Sequence, residues 1–277
     1  MDRIVSIILP YYNGKAYIDE TLQSIIDQTY KNFEVLVIDD GSPNEDHAMY
    51  IRQRLIELND QRFQYIHKMN GGLSDTRNFG IAKANGFYIA FIDQDDIWVQ
   101  EKLEEQLKIF ENDESIPFIF SNMDIITAAG ERRSNIFPKW FTYKTSSYVK
   151  RPYDLMLRGN FVTCSSVIFK KELAIAAGPS NRFFVTCPDY ELFIRMAKVA
   201  NCFYYINKPL FTYRIHNENS SNNAVRVMSE CLWILFNGQL DSFVRRKNAM
   251  LNFCRMMYSL AYCWGSKIYR SYRVNAR

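Results

Sequence analysis

The chain is 277 residues long, 48% hydrophobic and 23% charged, which excludes a disordered or fibrous protein and leaves room for a sizeable core. Its six cysteines show no C-x-x-C pair and no zinc spacing, so we expect free thiols. The N-terminus shows no leader pattern, and no apolar run reaches the ~18 residues of a membrane-spanning helix. The sequence therefore predicts a cytoplasmic protein, soluble or held peripherally on the inner face of the membrane.

The net charge of +4 hides an asymmetry. Residues 241–277 hold eight Lys or Arg against one acid, Asp241, a local charge of +7, whereas the remaining 240 residues carry 26 bases and 29 acids. The bulk of the chain is therefore not predicted to bind nucleic acid, and only the tail favours an anionic surface.

Strand and helix patterns alternate along the first hundred residues. The first strand, at 4–9, is apolar at nearly every position and is followed by Pro10, which is typical of a strand buried on both faces. The other predicted elements are, in order, a helix at 16–27, a strand at 33–38, a helix at 45–58, a strand at 63–67, a helix at 74–84 and a strand at 88–92. Such alternation predicts βαβ units around a mostly parallel sheet, the α/β class.

Between residues 116 and 215 the pattern changes to short mixed strands at 118–120, 166–169 and 203–206, with a helix at 190–199. In the tail, apolar side chains recur at helical spacing among basic ones. This amphipathic region either packs on the sheet domain or lies on an anionic membrane, and the sequence leaves both open. Its apolar positions are Met250, Cys254, Met257, Tyr258, Ala261, Trp264, Ile268 and Tyr272.

Acidic residues cluster after two of the predicted parallel strands. Asp39 and Asp40 follow the second strand, and Asp93, Asp95 and Asp96 follow the fourth. Ligands bind outside the carboxyl ends of parallel strands, and five acids gathered there would repel one another without a counter-charge. Carboxylates with little His or Cys nearby suit Mg²⁺ or Mn²⁺ held together with substrate phosphates. One Asp pair alone is more typical of a turn or a helix cap, but two such clusters favour a cation site.

The common phosphate-binding loops are absent from the sequence. No G-x-G-x-x-G follows the first strand, and no G-x-x-x-x-G-K is present. The turn at 70–72, Asn-Gly-Gly, is a weak signal alone, but it precedes Ser74, Asp75 and Arg77 at a predicted helix start. That arrangement offers backbone N–H groups and a cation to a ligand.

These blocks, in their order and spacing, resemble family 2 glycosyltransferases of the GT-A fold, of the type that builds bacterial cell-surface polysaccharides such as lipopolysaccharide. The resemblance covers residues 3–220 and is clearest over 3–110. It implies a Rossmann-like sheet domain at 1–219, with a nucleotide-sugar half at 1–115 and an acceptor-side half at 116–219, and then a basic helical extension at 220–277. The blocks that carry it are 5–13, Gln28-Thr29-Tyr30, 37–42, 70–80 and 88–98.

The resemblance also implies roles for individual residues. Tyr11 is expected against the nucleotide base, Asp40 at its uracil-like edge and Arg77 at the diphosphate or sugar. Asp93 and Asp95 match the D-x-D pair of the family, in which Asp95 would bind the metal and Asp93 would face the ribose and phosphates. The implied nucleotide-sugar set is Pro10, Tyr11, Asn13, Asp40, Arg77, Asp93 and Gln94.

A second block, at 189–195, is similar to the E-D-x-x-L-W-x-R segment of the family and implies that Asp189 is the catalytic base. Pro188 stands where the family usually has Glu, and from the residues alone Asp189 could instead cap the following helix. The segment 213–216 resembles a late strand whose Arg and His face the diphosphate or metal. It implies His216 as a second metal ligand, and Asp96, Trp98 and Arg214 as phosphate or acceptor contacts.

The resemblance thus implies a metal-dependent inverting glycosyltransferase that uses Mn²⁺ or Mg²⁺. Its donor would be a nucleoside-diphosphate sugar, with UDP preferred, and its acceptor a growing cell-surface glycan or a lipid-linked one. Two alternatives stay open at this point. A sugar-nucleotide nucleotidyltransferase would need a Gly-rich, basic loop after the first strand, which residues 10–14 do not provide. A non-catalytic sugar-nucleotide-binding subunit is disfavoured by the intact acids.

Overall fold

The computed structural model describes residues 3–127, 129–133, 141–217, 219, 223–237 and 245–257. Its strands are β1 Val5–Tyr11, β2 Phe33–Asp39, β3 Phe63–His67, β4 Tyr88–Phe91, β5 Ile97–Trp98, β6 Phe118–Thr127, β7 Arg132–Arg133, β8 Ser147–Lys150, β9 Ile168–Lys170 and β10 Cys202–Ile215. Its helices are α1 Ile18–Ile26, α2 Glu45–Leu58, α3 Leu73–Lys83, α4 Lys102–Asn112, α5 Pro152–Met156, α6 Lys171–Ala177, α7 Pro188–Val199 and α8 Ala224–Phe236. Residues 245–257 are also helical and are called helix 245–257.

One sheet joins the strands in the order β3-β2-β1-β4-β9-β6-β10-β5, with β7 on β6 and β8 on β10. The first four strands of the chain pair in parallel, as the alternating pattern predicted. Strand β9 is antiparallel to both β4 and β6, and β10 runs parallel to β6. The expected α/β fold with a mostly parallel sheet is confirmed.

Pro10 lies inside β1 rather than after it. A proline has no N–H to donate to a neighbouring strand. Pairing of β1 with β4 ends at Ile8, whose carbonyl accepts the N–H of Ile92 at 3.2 Å, whereas pairing with β2 continues to Tyr11. Because alternate residues of a strand face alternate neighbours, Pro10 faces the side where pairing has already ended. The strand therefore runs two residues beyond its predicted end.

The sheet separates two apolar cores. Along β1, the side chain of Ile8 enters one core and those of Ile7 and Leu9 enter the other, so the whole strand is buried. Helix α3 approaches the sheet closely at Gly80, where a Cβ atom would lie 2.6 Å from Ile8 Cγ2 and 2.9 Å from Ile38 Cδ1. This contact fixes the distance between the sheet and the helix that carries Arg77.

The second half of the chain contains longer strands than the sequence predicted. Strand β6 extends to Thr127 and β10 to Ile215, and two register shifts between residues 206 and 212 interrupt the pairing of β6 with β10. The end of β10 also pairs with β5, which directly follows the acids at 93–96. As a result, residues 214–216 reach the same edge of the sheet as the acidic loop after β4.

The described part of the tail packs on the sheet domain. Arg245 Nε donates to Asp154 Oδ1 at 2.7 Å, Asn248 Nδ2 donates to Asp154 O at 2.7 Å, and Ala249 and Asn252 are buried. Within the described ranges no helix is both long and apolar enough to cross a bilayer. Part of the predicted aromatic stripe, Tyr258, Ala261, Trp264, Ile268 and Tyr272, lies outside the residues that the structure describes.

Candidate active site

The loop after β4 places Asp93 beside a buried arginine. Asp93 Oδ1 accepts a hydrogen bond from Arg77 Nη2 at 2.6 Å, and the two side chains are 29% and 3% exposed. The Arg77 guanidinium lies 5.5 Å from the ring centre of Phe91. Its Nε and Nη1 atoms are buried and have no hydrogen-bond partner in the part of the chain that the structure describes. Arg77 is therefore a buried cation with unused donors, next to an acid that is partly open to solvent.

Asp189 interacts electrostatically with both members of this pair. It is the second residue of α7 and is partly buried. Burial raises the pKa of Asp189, an effect that the charge of Arg77 opposes. Burial would by itself lower the pKa of Arg77, but the acidic groups of Cys164, Asp93 and Asp189 outweigh it and raise that pKa. The structure thus brings together Arg77, the first acid of the D-x-D sequence and the predicted base.

Asp40 and Asp39 are both satisfied by protein groups. Asp40 accepts the backbone N–H groups of Gly71 and Gly72 at 2.9 Å each, and Lys68 donates to it as well. Gly72, at a φ of 82°, is the residue immediately before α3. The hydrogen bonds to Asp40 therefore fix the turn from which α3 begins. Asp39 accepts from Ser42, Tyr65 and His67. Asp40 therefore supports the helix that presents Arg77, and its predicted contact with a nucleobase stays a prediction.

Asp95 and Asp96 point to different partners. Asp95 Oδ2 lies 2.7 Å from His216 Nε2, and burial together with the charge of Asp93 raises the pKa of Asp95. Asp96 is buried and accepts the Ser165 hydroxyl at 2.5 Å and the Arg214 backbone N–H at 3.1 Å. Asp96 therefore ties β10 to the loop, while Asp95 and His216 form a pair with solvent-accessible surface.

Arg214 lies against the same loop and contacts α1. Its Nε atom donates to Asp95 O at 3.0 Å, and its Nη2 atom lies 2.9 Å from Glu20 Oε2. The guanidinium is 4.6 Å from the ring centre of Tyr17. Arg214 holds the acidic loop against α1, and its predicted contact with phosphate or acceptor stays a prediction.

The last residue of β1 and the residues after it line the neighbouring edge. Tyr11 is fully buried and its hydroxyl donates to His47 O at 2.8 Å, whereas Asn13 is partly exposed and adopts a φ of 49°. Asn13 Oδ1 is buried without a hydrogen-bond partner among the described residues. The Gln94 side chain pairs with the backbone N–H and C=O of Tyr12 at 2.9 and 3.1 Å, so it locks the loop after β4 to the end of β1.

Trp98 packs beneath the loop after β4. Two residues that the sequence did not single out, Ser165 and Lys102, contact it there. The Trp98 indole donates to Ser165 O at 2.9 Å, and Ser165 Oγ accepts the Asp93 backbone N–H at 3.0 Å. The ammonium of Lys102, fully buried, lies 4.2 Å from the Trp98 ring centre, and burial lowers its pKa far below the usual value. Ser165 lies in a three-residue 3-10 turn just before β9, a position that no sequence motif marks.

Few side chains of the site could ligate a cation. Across the described ranges, no three His, Cys, Asp or Glu side chains are grouped so as to hold a metal ion. Asp95 and His216 offer one carboxylate and one imidazole within contact distance of each other. Mg²⁺ is typically bound by one or two carboxylates plus waters and substrate phosphates. These residues therefore fit a cation that the substrate diphosphate completes, and they do not fit one that the protein holds alone.

A separate cavity of about 410 Å³ lies at the other end of the strands. Arg3, Tyr30, Tyr88 and Glu114 are among its lining residues. Tyr88 begins β4, whereas the acids at 93–96 follow the end of that strand. The cavity therefore does not belong to the candidate active site.

The fold and the site define a class of proteins: α/β enzymes of the GT-A type, with a D-x-D sequence at the carboxyl edge of the sheet. Residues 6–175 match the model of the family described as Glycosyl transferase family 2. The chain belongs to this family and is a glycosyltransferase. The resemblance inferred from the sequence, to the cell-surface polysaccharide type, is confirmed, and the family decides against the nucleotidyltransferase and the non-catalytic subunit.

Several relatives share most of the chain. WfgD of Escherichia coli, named as a UDP-Glc:alpha-D-GlcNAc-diphosphoundecaprenol beta-1,3-glucosyltransferase, is 28% identical over 258 residues, which are 91% of this chain and 92% of WfgD. TuaG of Bacillus subtilis, whose name provisionally assigns it to teichuronic acid biosynthesis, is 29% identical over 84% of this chain and 87% of its own. Other relatives are longer: the chain spans 38% of an uncharacterized glycosyltransferase of Rickettsia conorii.

A solved structure supports the fold. TarS of S. aureus, residues 1–349 in complex with UDP-GlcNAc, superposes with a TM-score of 0.69 at 19% identity, over 90% of this chain and 71% of that one. At this identity the likeness establishes the fold, and the roles of individual residues rest on the geometry described above.

Proposed function

We propose that the chain is a metal-dependent, inverting glycosyltransferase that moves a sugar from a UDP-sugar to a hydroxyl group of a lipid-linked or growing cell-surface glycan. The observation that carries the proposal is the convergence of Arg77, Asp93 and Asp189 at the carboxyl edge of the sheet. Arg77, whose Nε and Nη1 have no partner among the described residues, would bind the diphosphate, and Asp189, a carboxylate of raised pKa, would take the proton of the acceptor.

Arg77 suits the diphosphate of the donor. Leaving a buried polar group unpaired costs about 1–3 kcal/mol, and Arg77 has two buried nitrogens, Nε and Nη1, without a partner in the described structure. A diphosphate oxygen would satisfy them with charge-assisted hydrogen bonds, which are about twice as strong as neutral ones. Asn13 Oδ1, a buried acceptor without a partner in the same part of the chain, offers a site for the N–H of a uracil-like base.

Asp189 suits the role of the base. A sugar hydroxyl is a weak nucleophile, and a carboxylate that takes its proton contributes typically ~10²–10⁴-fold to the rate. As the acceptor oxygen bonds to the anomeric carbon, the proton passes to Asp189, and the bond from that carbon to the diphosphate oxygen breaks with its electrons leaving on UDP. One displacement of this kind inverts the configuration at the anomeric carbon.

Asp95 and His216 are the residues that would hold the cation. Bound Mn²⁺ or Mg²⁺ supplies positive charge against the leaving diphosphate. The protein contributes Arg77 to the same task and keeps the loop at 93–96 in place through Gln94, Asp96 and Arg214. The name of WfgD, which includes UDP-Glc, and the UDP-GlcNAc bound to TarS support a uridine diphosphate donor.

The exposed side chains of the loop before α7, of α8 and of helix 245–257 favour an acceptor at a membrane. Many of them are apolar, and helix 245–257 also carries the exposed Arg246 and Lys247. Exposed apolar groups together with basic ones are typical of helices that lie on anionic bilayers. The exposed apolar residues are Phe183, Val185, Trp233, Phe236, Met250, Phe253 and Met257. We therefore infer peripheral binding to the cytoplasmic face of the membrane, where a lipid-linked acceptor is met.

A donor screen tests the proposal. The chain is incubated with Mn²⁺, a synthetic GlcNAc-diphosphate-lipid and either UDP-glucose, UDP-GlcNAc, GDP-mannose or dTDP-glucose, and release of the nucleoside diphosphate is measured. We expect turnover of a uridine donor and its loss in Asp189→Asn. The matched control is Asp46→Asn, because Asp46 is also an acid of a first helical turn but lies exposed on α2. Turnover only with GDP- or dTDP-sugars would contradict the uridine donor, and full activity of Asp189→Asn would contradict the base.

A further inference from the structure

Glu230 of α8 holds the segment that leads into α7. Its carboxylate is buried and accepts three consecutive backbone N–H groups, those of Val185 at 3.0 Å, Thr186 at 2.9 Å and Cys187 at 2.8 Å. It also accepts the Thr186 hydroxyl at 2.8 Å and Arg226 Nε at 3.0 Å. Burial would raise the pKa of Glu230, but these hydrogen bonds lower it, so the carboxylate stays charged.

The segment that Glu230 holds ends two residues before the proposed base. Cys187 precedes the first residue of α7 and its side chain makes no capping hydrogen bond, while Pro188 has no N–H to be capped. The N–H groups just before α7 are therefore held from α8 and not by a capping side chain of α7 itself. Because Asp189 is the second residue of α7, the backbone that Glu230 holds lies two residues from the proposed base.

We propose that Glu230 is the positioning residue for Asp189. Helix α8 would then contribute to catalysis by orienting the base. The proposal rests on the role of Asp189 as base proposed above. It concerns a part of the chain beyond the family match, which ends at residue 175. A displacement of about 1 Å between base and substrate can cost up to ~10²-fold in rate, so the effect on turnover is measurable even where the fold is kept.

The test compares Glu230→Gln with a matched control, Glu34→Gln. Glu34 also collects hydrogen bonds from several groups, the Ser6 hydroxyl and the backbone and side-chain amides of Asn85, but it lies at the amino ends of the strands. Both variants lose a charged acceptor, so both are expected to lower the melting temperature. Turnover is measured below both melting transitions as UDP release from the uridine donor that the screen identifies.

We expect Glu230→Gln to lower kcat by about 10- to 100-fold, with the dissociation constant for UDP unchanged within the error of calorimetry. Glu34→Gln should keep the kcat of the parent. Glu230→Asp keeps the charge and should recover part of the loss. In an Asp189→Asn background Glu230→Gln should have no further effect, because Glu230 acts through Asp189. Additive losses in the double variant, or an equal loss in Glu34→Gln, would overturn the proposal.

Hydrogen exchange provides a measurement that does not depend on turnover. The amides of Val185, Thr186 and Cys187 should exchange faster in Glu230→Gln than in the parent and in Glu34→Gln. Unchanged protection of these three amides would overturn the positioning role whatever the activity. An Asp189→Asn variant with full turnover would instead overturn the base, which separates the failure of the two proposals.

Discussion

Replacement of Arg77 by Met should both destabilise the fold and weaken binding of UDP. The Arg77 side chain is 3% exposed and its partner Asp93 29%, so the pair lies between a buried and a surface ion pair. Removing one member of a buried pair costs about 3–5 kcal/mol, whereas an exposed pair contributes about 0–1 kcal/mol. Because Asp93 keeps partial contact with water, we expect a loss of about 3 kcal/mol. For a chain of this size that corresponds to a fall in melting temperature of roughly 6–12 °C.

The loss of UDP affinity follows from the unused donors. Hydrogen bonds to charged groups contribute about 1.5–3 kcal/mol each. One such bond from Arg77 to the diphosphate therefore predicts a dissociation constant about 10- to 150-fold higher in Arg77→Met. Calorimetric titration of the parent and the variant with UDP, and with uridine as a ligand that lacks the diphosphate, measures this difference. Uridine binding should not change.

Two further variants separate stability from binding. Arg54→Met removes a cation from a surface pair with Asp19, 40% and 46% exposed, and should lose no more than about 1 kcal/mol. Arg77→Met combined with Asp93→Asn removes the stranded acid and should recover part of the stability without recovering UDP affinity. If Arg77→Met binds UDP as tightly as the parent, the diphosphate does not contact Arg77 and the reasoning is refuted.

Three other predictions concern the cation, the base and the exposed apolar side chains of α8. Chelation, or Asp95→Ala, should abolish transfer while circular dichroism shows an intact fold, and full turnover in excess chelator would contradict the cation. The rate should rise with pH, and the midpoint of this rise should lie above the usual pKa range of carboxyl groups, because burial raises the pKa of Asp189 and the base acts only when deprotonated. If the same rise persists in Asp189→Asn, it belongs to another group. The parent should sediment with vesicles of phosphatidylglycerol and not with those of phosphatidylcholine, and the double variant Trp233→Ser, Phe236→Ser should bind less. Equal sedimentation of the parent and the double variant would contradict a membrane role for these side chains.

The parallel half of the sheet could be predicted because its signals are local. Runs of apolar residues mark β1, β2 and β4 as strands buried on both faces, and the helices between them follow from their spacing. The confirmed alternation also placed the acids at the carboxyl edge, since direction follows from the βαβ connection. The end of β1 was misplaced at Pro10 because the sequence does not show on which side a neighbouring strand has already ended.

The protein groups that bind the carboxylates of the acidic residues could not be predicted. The positions of the five carboxylates in the sequence predict one cluster that a cation neutralises. In the structure Asp40 is bound by the turn that opens α3, and Asp96 by Ser165 and a backbone N–H of β10. These partners are 31 to 118 residues away in the chain, and neither a spacing nor a periodicity marks such long-range contacts.

Glu230 illustrates the same limit. In the sequence of α8, Glu230 is a polar residue of an amphipathic helix, and Arg226 stands four residues before it. This spacing is typical of an ion pair on the surface. Its burial and its bonds to residues 185–187 depend on how α8 packs on the start of α7. That packing is a tertiary property, so the residue that we propose to position Asp189 was visible only in the structure.

The most direct test of the account is the configuration of the first sugar released. In UDP-glucose and UDP-GlcNAc the sugar is α-linked, and water can replace the acceptor in a slow hydrolysis. Proton NMR of the anomeric region, recorded from the start of that hydrolysis with the diamagnetic ion Mg²⁺, distinguishes the β anomer from the α anomer before mutarotation mixes them. Direct displacement assisted by Asp189 predicts that the β anomer appears first and that Asp189→Asn slows its appearance. An α anomer that appears first would contradict a single inverting displacement.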